Sequence, residues 1–361
     1  MKENTAKNIP EISIQTAIDE LSGLYSAAIR SGISFSDIPT AFLWGPPGVG
    51  KSQGVRQIAD NVGRACGKKT EVIDVRLLLF SPIDLRGVPV ADEHREFTNW
   101  LKPRIFDMPD PDTLYFLFLD ELSAAPQSVQ AAAYQICLDR KVGEHRLPEN
   151  CFVIAAGNRT TDGSVAYKMP KALANRLLHL DIVPDYAAWR SWAVSREIDG
   201  RIIGFLGFDR SRLCVEPGTS DLAYPTPRSW AFVSNLLSAT GKEPGAIHDL
   251  IASVIGCDCA IEFEKWSEIY ALLPNAGDIL NGVCRTCPTR QDILYALVSS
   301  LVAAVSMKKN DITLQQLENV CAYASRFPSD FAAALFSDLN AIEPIRLKLM
   351  KCRSFPGQRR M

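Results

Sequence analysis

The stretch GPPGVGKS at Gly45 to Ser52 limits what this chain can fold into more than any other feature. It has the pattern G-x-x-x-x-G-K-[ST], it follows the apolar run Thr40 to Trp44, and it leads into Gln53 to Cys66, where apolar residues recur at helical spacing. A strand, a glycine loop and a helix in series turn backbone N–H groups inward around an anion, at the helix end whose dipole favours negative charge. Gly45, Pro46, Pro47, Gly48, Val49 and Gly50 are therefore expected to wrap the phosphates of a nucleotide, with Gly50 at the helix N-terminus. Lys51 is placed to reach the β and γ phosphates, and the Ser52 hydroxyl to ligate magnesium. A nucleoside triphosphate and Mg2+ are the ligands this motif predicts.

A second apolar run, LYFLFLDE at Leu114 to Glu121, ends in two adjacent carboxylates. A run so continuously apolar is expected to be covered on both faces of a sheet. Such an acidic pair often just caps a following helix. Downstream of a phosphate loop it suggests catalysis instead, with Asp120 holding magnesium and Glu121 orienting or deprotonating the attacking water. Further strand-like runs at Glu71 to Val75, Cys151 to Ala155 and Leu178 to Val183 alternate with helical segments, which predicts an α/β fold with helices on a parallel sheet. Helical spacing from residue 11 to residue 30 predicts an N-terminal helix before the first strand. Two β-hairpins are expected, at Gly87 to Trp100 and at Lys141 to Pro148. After about Asp185 the strand signal fades. The chain is accordingly divided into an N-terminal helical segment (1–35), a nucleotide-binding core with an inserted hairpin (36–195), and a helical region (196–361).

Composition sets the remaining bounds. With 361 residues, 47% apolar and 22% charged, and a net charge of -2, the chain can bury full cores and has no excess of basic residues to coat nucleic acid. The N-terminus lacks the basic and apolar stretches of a signal peptide, and no apolar run approaches a membrane span, so a cytoplasmic protein is expected. The ten cysteines are read as reduced thiols. Cys257 and Cys259 with Cys284 and Cys287 could hold zinc, but their C-x-C spacing in a helical stretch favours ordinary buried thiols. The apolar stripe from Ile293 to Val305 is read as helix packing, and the basic residues Arg346, Lys348, Lys351, Arg353, Arg359 and Arg360 as a solvated tail.

In order and spacing, GPPGVGKS, FLDELSAAPQSVQAAAYQICLDRKVGEHRLPENCFVIAAGNR, KALANRLLHLDI and YPTPRSW resemble the AAA+ ATPases of the MoxR type. The resemblance spans roughly residues 38–240 and implies a P-loop αβα core followed by an all-helical lid, with a C-terminal helical extension beyond the family's usual length. It implies that Asn158 is the sensor 1 residue beside the two carboxylates. It implies also that Arg176 is an arginine finger entering a neighbouring subunit's site, with Arg159 and Arg201 as nearby alternatives, and that Arg228 is the sensor 2 residue contacting nucleotide. A finger acting in trans implies a homo-oligomeric ring, a hexamer, and MoxR-like proteins remodel or activate a protein client beside a partner bearing a von Willebrand factor A domain. Two other readings keep the nucleotide site: a motor on nucleic acid, which the mixed charges of ADEHRE and VGEHRL support poorly, and an ATP-gated scaffold with little turnover.

Overall fold

The computed structural model describes residues 9–159, 167, 169–308 and 311–355. The chain divides into two compact units, Met1–Asp185 and Tyr186–Met361.

In the first unit, strands β1 (Glu11–Ile12), β2 (Ala41–Trp44), β3 (Thr70–Arg76), β6 (Leu114–Asp120), β9 (Cys151–Gly157) and β10 (Leu178–Ile182) form one sheet in the order β1-β10-β2-β9-β6-β3. Every neighbouring pair is parallel. The covering helices are α1 (Ile14–Ser31) and α2 (Lys51–Cys66) on one face and α4 (Gln127–Asp139) on the other. Strand β6 shows why both faces must be covered. Leu114, Phe116 and Phe118 pack with α1 and α2, while Tyr115, Leu117 and Leu119 pack with Val129, Ala133 and Ile136 of α4. All six strand residues are buried, as the period of two requires when neither side meets water.

The N-terminal helix begins later than its apolar spacing suggests. Ser13 caps α1, its hydroxyl accepting from Thr16 N, and the two residues before the cap are drawn into the sheet edge as β1 beside β10. Both expected hairpins form. Strand β4 (Val88–Ala91) pairs antiparallel with β5 (Thr98–Leu101) after the short helix α3 (Pro82–Arg86), and β7 (Lys141–Val142) pairs with β8 (His145–Arg146). His145 Nε2 donates to Trp100 O at 2.7 Å, tying the second hairpin to the first. The unit ends with α5 (Lys171–Ala174) and β10.

The second unit is helical among its described residues. A first core gathers α6 (Tyr186–Ser195), α7 (Gly200–Phe208), α8 (Pro227–Thr240), α9 (His248–Ile255) and α10 (Cys257–Ala271) around Trp230, Phe205 and Phe263. A second gathers α11 (Ala276–Leu280), α12 (Gln291–Met307), α13 (Leu314–Ala324), α14 (Ser329–Asn340) and α15 (Glu343–Leu349). The sequence division at 195/196 grouped α6 with the nucleotide-binding core. Its Trp189 and Ala193 instead pack in the first helical core, so the structural division falls at 185/186. The stripe on α12 is buried at Leu294, Leu297, Leu301, Val302 and Val305. No helix among the described residues is long and apolar enough to cross a membrane.

Two further readings change. The basic C-terminal segment is not a free tail through residue 355: Ile345, Leu349 and Cys352 are buried, and Glu318 accepts from Arg353 N and Ser354 N. Arg359 and Arg360 lie outside the described residues. Of the four cysteines weighed for zinc and read as buried thiols, only Cys259 is buried, in the first helical core; Cys257 is exposed, and Cys284 and Cys287 are half-buried at the edge of the second core. Among the described residues no group of three or more His, Cys, Asp or Glu side chains is placed to hold a metal.

Candidate nucleotide site

The strand order brings together residues that lie far apart in the chain. At the C-terminal ends of β2, β9 and β6, which are adjacent in that order, stand the Gly45 loop, Asn158 and the Asp120–Glu121 pair. This edge of an open parallel sheet is where such folds bind ligands.

The loop is built by its glycines. Gly45 leaves β2 against the neighbouring strand, where a Cβ would stand 2.5 Å from the Ile182 carbonyl oxygen, so no side chain fits. Gly50 caps α2 at φ +100°, in the left-handed region that L side chains rarely adopt. The next residue, Lys51, is 8% exposed despite its charge. Its Nζ donates to Gly45 O at 2.5 Å, to Pro46 O at 3.0 Å and to Asn158 Oδ1 at 3.1 Å. These oxygens hold the ammonium over the loop, where a phosphate could replace part of their hydrogen bonding.

Ser52 Oγ donates to Asp120 Oδ2 at 3.0 Å. A hydroxyl and a carboxylate so close, on the first turn of α2 and the last residue of β6, are the hard oxygen donors that suit Mg2+ alongside phosphate oxygens. The other carboxylate oxygen, Asp120 Oδ1, accepts from Glu121 N at 2.9 Å. Glu121 itself has φ +60°, a left-handed backbone that is costly for a non-glycine residue and that ends the strand abruptly. Neither acid caps a helix: α4 starts at Gln127 with Pro126 at its N-cap.

Asn158 is fixed from both ends. Its side-chain oxygen faces Lys51, and its carbonyl accepts from Ser123 Oγ at 2.9 Å. The following residue, Arg159, donates through Nε to Asp181 Oδ1 at 2.5 Å, pairs with the same oxygen through its terminal nitrogen, and reaches Ile182 O at 3.2 Å. Asp181 is 1% exposed. Ser123 and Asp181 did not emerge from the sequence. Asp181 had one cue, an acid within the otherwise apolar end of LHLDI, since a buried acid needs a partner.

Hydrogen bonds thus form two groups at this edge, Lys51 with Asn158, and Asp120 with Ser52 and the Glu121 backbone. Arg176 lies outside both. It is exposed in the turn after α5, and among the described residues its guanidinium has no ion-pair partner. Its two alternatives are engaged, Arg159 with Asp181 and Arg201 with Asp199 and Glu243. Arg228, in the second unit, is exposed at the second position of α8 behind the Thr226 cap and Pro227.

No family model matches the chain, and no curated protein matches it. Among solved structures it is similar to NtrX from Brucella abortus (14% identity, 83% of this chain and 64% of that one, TM-score 0.36). It is similar also to a mutant form of RuvB from Thermotoga maritima (16% identity, 84% and 89% covered, TM-score 0.41). A third is the Aeropyrum pernix ORC2 protein in ADPNP-ADP complexes (10% identity, 94% and 89% covered, TM-score 0.42). The chain thus spans less than two thirds of the NtrX chain, and likeness at this level says nothing of activity.

Proposed function

We propose that this chain is a MoxR-type AAA+ ATPase subunit that hydrolyses ATP in a homo-hexameric ring. In this reading the ring remodels or activates a protein client, beside a partner with a von Willebrand factor A domain. The observation that supports it most is the meeting of Lys51, Ser52, Asp120 and Asn158 at one sheet edge, linked by two hydrogen bonds.

In this reading the loop N–H groups and Lys51 hold the β and γ phosphates, and Lys51 gives up part of its bonding to the loop carbonyls as phosphate oxygens take their place. Ser52 and Asp120 hold Mg2+, which when bound neutralises charge on the phosphates. Glu121 takes a proton from the attacking water as its oxygen bonds to the γ phosphorus and the bond to the bridging oxygen breaks, leaving ADP and inorganic phosphate. Asn158 can donate through Nδ2 to phosphate while its Oδ1 accepts. Arg176 of a neighbouring subunit stabilises charge on the transferring phosphoryl group, and Arg228 contacts the nucleotide.

The test is ATP turnover against protein concentration for wild type, Glu121→Gln and Arg176→Ala, with mass measured in parallel. Specific activity should rise as a ring assembles. Both variants should lose about a hundredfold or more in kcat, with Glu121→Gln still binding ATP. Concentration-independent turnover by a monomer that tolerates Arg176→Ala overturns the ring and the finger together.

A further inference from the structure

We propose that His179 is a positioning residue for Arg176, tying the turn that carries the arginine to the last residue of the strand that feeds the phosphate loop. The inference rests on the reading of Arg176 as an arginine acting in a neighbouring site.

The Ala174 carbonyl, at the end of α5, accepts two hydrogen bonds, one from Leu177 N at 3.2 Å and one from His179 Nε2 at 2.8 Å. The first closes the turn from Ala174 to Leu177, with Asn175 and Arg176 at its two central positions. The second holds that turn from the sheet side. Because a carbonyl only accepts, Nε2 must carry the proton, which leaves Nδ1 as a bare acceptor. That is what the Trp44 indole N–H requires, and it donates to His179 Nδ1 at 2.9 Å. Both ring nitrogens are thereby used, in one neutral tautomer.

Each end of this bridge is anchored. Trp44 is the last residue of β2 and immediately precedes Gly45, and β10 pairs with β2 so that His179 lies opposite Phe42. The imidazole and indole rings lie 6.1 Å apart at an interplanar angle of 25°. On the far side of the turn, Leu177 is buried in the core that α4 covers, and Leu178 N donates to Thr40 O at 3.0 Å. A shift at the mouth of the phosphate loop therefore passes through two rigid rings to the carbonyl from which the Arg176 turn hangs. Arg176 needs such support because its own side chain is exposed, and a finger displaced by about 1 Å loses much of its effect.

The ordinary alternative is a core histidine that only stabilises the sheet, and paired substitutions separate the two. A Gln amide nitrogen can stand near Nε2 and keep the bond to Ala174, whereas an Asn side chain can stand near Nδ1 and keep only the bond to Trp44. Turnover per assembled ring should therefore fall between about tenfold and a hundredfold in His179→Leu and His179→Asn and stay within about threefold of wild type in His179→Gln, with ATP affinity and melting temperature little changed. Mixing adds a readout that a stabilising role does not move. Glu121→Gln subunits have a dead site but an intact Arg176, so co-assembly should restore turnover at the sites of His179→Leu subunits, as it should at those of Arg176→Ala subunits. Rescue of Arg176→Ala without rescue of His179→Leu, or a Gln variant as impaired as the Leu variant, overturns the positioning role and leaves the finger intact. Wild-type turnover by Arg176→Ala in the same assay overturns the finger, and the positioning role with it.

Discussion

At the scale of single residues, the pair Arg159 and Asp181 has the highest stakes for stability. The carboxylate is 1% exposed and the guanidinium side chain 19%. Removing one member of a buried pair costs about 3–5 kcal/mol, because the other charge keeps its desolvation penalty and loses its main compensation. Arg159→Met should therefore lower stability by about that amount in urea unfolding, and Arg159→Met with Asp181→Leu should recover most of the loss. A single variant that unfolds with wild type would contradict the geometry. Asn158 should also lose its bracing, so the single variant should lower kcat before it lowers ATP affinity. The position of Asn158 at the end of the strand VIAAGN was legible, and its side chain meets Lys51 there. The brace was not, because Arg159 and Asp181 are separated by 22 positions and meet only through the strand order.

At the scale of elements, legibility follows the range of the forces involved. The two-sided burial of β6 was written in its unbroken apolar run, and the tight Gly45–Gly50 loop in its glycines, because both are local demands of the backbone. The strand order, which inserts β9 between β2 and β6 and so carries Asn158 to Lys51, arises from tertiary packing and leaves no local mark. Likewise β1 has only two residues, and nothing in Glu11–Ile12 separates it from the start of α1 except the Ser13 cap. The two hairpins were legible separately but not as a joined pair, which depends on the bond from His145 to Trp100 O. His145→Ala should free the first hairpin. Hydrogen exchange across residues 88–101 should quicken by about fivefold, matching the ~1 kcal/mol net worth of one hydrogen bond, with β6 unchanged. Equal protection in both proteins would mean that the hairpins are held by something else.

At the scale of the whole molecule, both units hide thiols, and hidden thiols make stability depend on pH. Burial pushes the Cys151 thiol up to about 11, and those of Cys137 and Cys259 to about 12, from an ordinary value of 9.0. Nearby Arg140 offsets part of the rise at Cys137 and Cys151. Below pH 9 folded and unfolded chains both keep these protons, so the stability that the buried thiols contribute is fully present. Above it, the unfolded thiols ionise while the folded ones stay protonated, and unfolding releases protons. Stability should then fall by about 1.4 kcal/mol per pH unit for each thiol, until Cys151 itself ionises near 11 and the other two near 12. The urea midpoint should accordingly drop between about pH 9 and about pH 11, and Cys151→Ala should flatten the drop by one thiol's share. The same burial predicts that Cys137, Cys151 and Cys259 resist a maleimide in the folded protein while exposed Cys257 reacts first. An unfolding midpoint that holds steady to about pH 11, with Cys137 or Cys151 labelled as fast as Cys257, would place those thiols in water and dissolve the core between the sheet and α4, and with it the support beneath β6 and β9 on which the candidate site stands.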